Sequence, residues 1–130
     1  MMMPKYIEDD IVKYNDKIMV IKEPRDGSHF DLFCPQERSV YCLVDVEEIK
    51  PIPITSEILE KNRWKNKMYC DWCHYLPIEG NILYLSKGIG IDGAFSVDVG
   101  QGMSHIACIS FVHQLQHLFF GLGLNSEMEV

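Results

Sequence analysis

The stretch Val44-Asp-Val-Glu-Glu-Ile-Lys-Pro-Ile-Pro-Ile-Thr-Ser-Glu-Ile-Leu59 decides the architecture of this chain. At its start the apolar residues fall on every second position (Val44, Val46). At its end a helix signature opens at Thr55. Pro51 and Pro53 lie between. Proline fixes its own φ, removes a backbone donor and pushes the preceding residue out of the helical region. The segment is therefore predicted to be a stiff, extended joint between two halves built on different plans.

Upstream of the joint the sequence reads as short strands. Asp10–Tyr14 and Lys17–Lys22 flank Asn15-Asp16, a two-residue link suited to a tight hairpin. Pro24-Arg-Asp-Gly27 reads as a turn, His29–Phe33 as a third strand, and Cys34–Arg38 as a break. Ser39–Val44 and Val46–Ile49 supply one or two strands more. So many short strands in so short a chain cannot bury both faces of a flat sheet, so a small curled barrel of SH3-like type is expected over residues 1–50.

Downstream, Thr55 is a good N-cap for a brief helix over Ser56–Lys61, with Glu57 in the first turn and Asn62 as a stop. Residues 67–75, 81–87 and 94–99 read as strands, with His105–Ile109 as a fourth. The clearest helix is Ser110–Leu122, capped by Ser110 and ended near Gly121 and Gly123. Phe111, Leu115, Leu118 and Leu122 form its apolar stripe, widened by Val112 and Phe119. His113, His117 and Phe120 share the other side, with Gln116 at the border. A Phe on that face predicts that it is covered as well, by the N-terminal module or by a second copy of the chain. The fold class is thus α+β. An SH3-like barrel (1–50) precedes an antiparallel sheet of three or four strands packed by one C-terminal helix (51–130).

Composition narrows the function classes. The formal charge of −7 is spread evenly: residues 1–50 hold seven Lys/Arg against eleven Asp/Glu, and residues 51–130 hold five against eight. Neither half is a basic module that would hold nucleic acid by bulk electrostatics. The opening Met-Met-Met-Pro-Lys-Tyr-Ile-Glu-Asp-Asp has no apolar core of a signal peptide, and no apolar run approaches a membrane span. A cytoplasmic location is expected, with no membrane partner. Five cysteines, an odd number, suit free thiols in a reducing compartment rather than a disulfide framework.

Two strings carry a resemblance. Glu48-Ile-Lys-Pro-Ile-Pro-Ile-Thr-Ser-Glu-Ile-Leu-Glu-Lys-Asn62 and Phe111-Val-His-Gln-Leu-Gln-His-Leu-Phe-Phe120 are similar to a group of small uncharacterised proteins of gut Bacteroidetes genomes and their prophages or mobile elements. Those proteins join a short β-rich opening to a KPIPLT-x-E-x-L segment and end on a YVHQLQ helix. The resemblance implies a mobile-element origin and an accessory role, and it brings no activity with it. Cys70-Asp-Trp-Cys73-His74 and His117 depart from the pattern.

Three constellations could carry chemistry. Cys70 and Cys73 have zinc-knuckle spacing, and His113 and His117 lie one helical turn apart, so the four could make a tetrahedral zinc set. Against it, Cys70 and Cys73 in one strand would face opposite sides, and buried, inert thiols are the plainer reading. Lys61, Arg63, Lys65 and Lys67, interleaved with Trp64, Tyr69 and Trp72, form the one basic, aromatic stretch, as a binder of single strands would need. A solvated loop whose tryptophans plug the core explains it more simply. No phosphate loop, dinucleotide motif or nucleophile elbow occurs, and the adjacent Cys73 and His74 would point apart. The favoured reading is a non-catalytic accessory or interaction protein without a cofactor. It would bind a protein partner, or itself as a homodimer, through the helix face of His113, Gln116, His117 and Phe120.

Overall fold

The computed structural model describes residues 6–66, 73–87, 95–100 and 104–130. They form an α+β fold with two antiparallel sheets. Four strands, β1 (Ile11–Tyr14), β2 (Lys17–Pro24), β3 (His29–Cys34) and β4 (Ser39–Asp45), make the first sheet in the order β1-β2-β3-β4. Asn15 and Asp16 carry φ of 53° and 60° and close the first hairpin, where two successive left-handed residues match the strand twist. Side chains of period two fill the core: Val12, Met19, Ile21, Phe30, Leu32 and Cys34, joined by Tyr6, Val44 and Ile49. The barrel expected here is not closed among the described residues, since β1 and β4 are the outer strands and do not pair. Instead of a fifth strand at Val46–Ile49, a single 3₁₀ turn (Val46–Glu48) carries the chain back to β1, where Lys50 bridges Lys13. Asp45 caps that turn by accepting the Glu47 N–H, which makes a strand start there unfavourable.

The second sheet has five strands rather than three or four: β5 (Lys65–Asn66), β6 (Cys73–Ile78), β7 (Asn81–Lys87), β8 (Phe95–Val99) and β9 (Ser104–Ile109), paired in chain order. Helix α1 (Ser56–Lys61) precedes it as predicted, with Thr55 Oγ1 accepting the Ile58 N–H at 3.2 Å. Glu79-Gly80 makes the β6–β7 turn, where Gly80 takes φ of 76°. Residues 67–72 of the strand expected over 67–75 lie outside the described residues, as does Gly88-Ile-Gly-Ile-Asp-Gly93, whose glycines read as a turn in the sequence.

The chain divides into two compact units. One joins everything through Ile52 to Phe111–Glu127; the other holds Pro53–Ser110 and Met128–Val130. The first boundary falls inside the double-proline joint. The second reassigns helix α2 (Val112–Gly121), which counts with the N-terminal sheet and not with the C-terminal half as the sequence suggested. Polar anchors explain this. The Val112 N–H donates to the Ile52 carbonyl at 2.8 Å, and Gln116 bonds backbone groups of Asp9 and Ile11. The cap also shifts by one residue, to Phe111, whose N–H donates to the Gln114 side chain at 3.0 Å. Among the described residues no helix is long and apolar enough to cross a membrane.

A candidate acidic recess on the first unit

Three polar side chains of α2 meet the segment that leads into β1. Gln116 is buried and fully used: its Oε1 accepts the Ile11 N–H at 2.8 Å, and its Nε2 donates to the carbonyls of Asp9 and Ser126 at 3.0 and 3.2 Å. His113 is buried too, edge-on to the Tyr6 ring at 4.9 Å and stacked on Phe111 at 6.0 Å. His117 lies beside Asp10, its Nε2 at 2.9 and 2.7 Å from the two carboxylate oxygens. Asp10, only 2% exposed, also accepts the Ile7 N–H at 2.9 Å. Burial pushes the Asp10 carboxyl above its ordinary range, opposed by that N–H and by His117. Burial, with Asp10 nearby, likewise raises the Tyr6 hydroxyl.

This pair floors a recess of about 310 Å³ whose walls include Ile7, Glu8, Asp9 and Phe120. The Phe120 ring is 71% exposed. The helix is therefore buried over a wide arc that takes in His113 and Gln116 as well as Val112, Leu115 and Phe119, while Phe120 stands open. The outer face predicted from helical periodicity is divided: two of its four residues are interior, His117 is half-buried, and the aromatic one faces water. Asp10 was not singled out in the sequence, because an Asp before a strand gives no sign that a helix a hundred residues later will cover it. A second depression of about 360 Å³, at the first hairpin, is lined by Lys13, Asp16, Glu48 and Lys50, whose opposite charges offset one another.

The other expected site residues fall as follows. Cys70, Lys67, Tyr69 and Trp72 lie outside the described residues. Cys73 belongs to the second unit and His113 and His117 to the first, where the two imidazoles sit 5.6 Å apart, edge to face. Among the described residues no group of three or more His, Cys, Asp or Glu side chains is placed to hold a metal ion. Lys61, Arg63 and Lys65 are exposed, but Trp64 is buried in the second unit, where its ring offers no stacking face. Compared with known protein families, curated proteins and solved structures, the chain finds no match.

Proposed function

We propose that the protein is a non-catalytic interaction module that grips a basic segment of a protein partner in the recess beside Phe120. The single observation that carries this reading is an exposed aromatic ring at the rim of a cavity walled by Glu8 and Asp9 and floored by the Asp10–His117 pair. Carboxylates attract a Lys or Arg head group, an aromatic face adds cation–π attraction, and Ile7 offers apolar surface to the aliphatic stem. The net charge of −7 steers the same class of partner towards the molecule.

Other parts of the reading stand on their own observations. The four-stranded meander, the 3₁₀ turn and the return of Lys50 to Lys13 support describing the first sheet as an SH3-like half-barrel. A mobile-element origin rests on the two strings quoted above. Of the stacking residues in the nucleic-acid alternative, Trp64 is buried, while Tyr69 and Trp72 lie outside the described residues. The zinc alternative has no cluster of ligands among the described residues to support it.

Fluorescence anisotropy with labelled peptides tests the proposal. Peptides pairing Lys or Arg with apolar residues should bind, and acidic peptides of the same length should not. Binding should weaken at least about tenfold in Phe120→Asp, and also as salt rises from 0.15 to 0.5 M. Equal affinity for basic and acidic peptides would overturn it. If light scattering shows a dimer that Phe120→Asp dissolves, the occupant is a second copy instead.

A further inference from the structure

The second unit holds a thiol, an imidazole and a carboxylate in a row. Asp98 and Ser96 stand on β8, and His105 and Cys108 on β9, with Ser96 opposite Cys108 and Asp98 opposite His105. Asp98 Oδ1 is 3.2 Å from His105 Nδ1, Ser96 Oγ is 2.8 Å from the same nitrogen, and His105 Nε2 is 3.7 Å from Cys108 Sγ. Residues 105 and 108 are an odd number apart and would face opposite sides of a regular strand. The register shifts between Val97 and Asp98, whose partners are Ala107 and His105, so Ile106 is the extra residue of a bulge. That bulge turns His105 and Cys108 to the same face.

The hydrogen bonds also set the tautomer. Ser96 Oγ–H donates to Asp98 Oδ1 at 3.3 Å, so the serine oxygen and the carboxylate are both acceptors for an Nδ1–H. The proton belongs on Nδ1, and the lone pair of Nε2 faces the sulfur. A nucleophile, a base and a third group orienting the base are the parts of an activated side chain. Cys108 is exposed and His105 is 54% exposed, so a reagent reaches the sulfur without any movement of the fold. Neither recess described above is lined by Cys108. The site therefore suits a reaction that needs an open line of approach rather than an enclosing pocket, and thiol–disulfide exchange is such a reaction.

We propose that Cys108 is a nucleophilic thiol that exchanges with small disulfides, with His105 as its base and Asp98 as the positioning residue. The Sγ–H proton passes to His105 Nε2. The sulfur attacks one sulfur of R–S–S–R, and the Cys108–S bond forms as the S–S bond breaks. The electron pair leaves on R–S⁻, which takes the proton back from His105 as R–SH. The products are a mixed disulfide on Cys108 and one free thiol, and excess thiol reverses the step.

The test uses the full chain with Cys42→Ser, Cys70→Ser and Cys73→Ser, which leaves Cys108 and the buried Cys34. The rate of adduct formation with oxidised glutathione is followed by mass spectrometry. At pH 7 His105→Gln should slow it about tenfold or more, and Asp98→Asn by a smaller factor. At pH 9.5, where solvent alone ionises a thiol, both differences should close. Equal rates at pH 7 would overturn the proposal. So would a deficit that persists at pH 9.5, which would mark His105 as merely structural. A second measurement guards against variants that do not fold: at pH 7 the native chain should react faster than the same chain in 8 M urea, and a slower native chain is equally fatal.

Discussion

Asp10–His117 in the first unit and Asp98–His105 in the second are both carboxylate–imidazole pairs, and they differ in almost everything except chemistry. Asp10 is interior and holds His117 with both oxygens, and it also accepts a backbone N–H at the floor of a recess. Asp98, itself 13% exposed, holds a well-exposed imidazole, shares His105 with Ser96, and leaves the far nitrogen of the ring to a thiol. Both nitrogens of an imidazole matter, and the second contact decides the role. In the first pair the imidazole joins a helix to the segment before β1, so the pair is chiefly a clamp. In the second it leads from a carboxylate to a reactive atom.

Removing the carboxylates separates the roles most sharply. Asp10→Ala leaves the Ile7 N–H without its acceptor and strips His117 of its partner in a buried place, and it should cost about 3 kcal/mol. Asp98→Ala, beside a well-exposed imidazole, should cost at most about 1 kcal/mol. Urea unfolding of the two variants checks both figures. Equal losses would erase the distinction between clamp and relay. Gln116→Leu comes next, at about 2 kcal/mol, because it orphans the Ile11 N–H together with two carbonyls. If Gln116→Leu proves neutral, the polar anchoring of α2 to the first unit is wrong.

How much of this was legible in the sequence follows from the range of the interactions. The hairpin at Asn15-Asp16, the helix Ser56–Lys61 and the strand Asn81–Lys87 are fixed by signals within a few residues, and each formed where expected. The double proline, whose effect on φ is local, lies where the first unit gives way to the second. What the sequence hid depends on distant partners. Gln116 and His113 lie on the helix side expected to be covered, but no local signal names Asp9, Ile11 and Tyr6 as the cover or shows that Phe120 is left out of it. Cys108 and His105 look mismatched until a bulge, which depends on the pairing of β8 with β9, changes their parity. Trp64 was legible as a core residue, since a large ring beside a helix end usually finds the interior.

A third histidine sharpens the contrast. His74 on β6 is 2% exposed, and among the described residues neither ring nitrogen has a hydrogen-bond partner. Burial lowers its proton affinity, with Glu60 pulling weakly the other way. The unfolded chain therefore takes up this proton first. Stability should fall as pH drops below about 6.5 and level off once the folded imidazole is also protonated, by no more than about 1.4 kcal/mol per pH unit. Asp10 works in the opposite sense: its raised affinity adds stability at acid pH and loses it as pH rises. His74→Phe should flatten the stability curve between pH 7 and 5. An unchanged slope would mean that the imidazole reaches water.

The smallest effect is expected at Phe120, and its smallness is the point. Phe119 and Phe120 are neighbours on α2, one buried and one 71% exposed. Phe119→Ala should cost about 3 kcal/mol as a core truncation. Phe120→Ala should change stability by no more than about 0.5 kcal/mol, because the ring is already in water in the folded state. Thermal melts of the two variants measure the difference. Should Phe120→Ala destabilise the fold by more than about 1 kcal/mol, the ring is a structural plug of the recess. Its loss could then not be used to read binding. If the melt is unchanged while the basic peptide is lost, the exposed ring is kept for a partner and not for the fold.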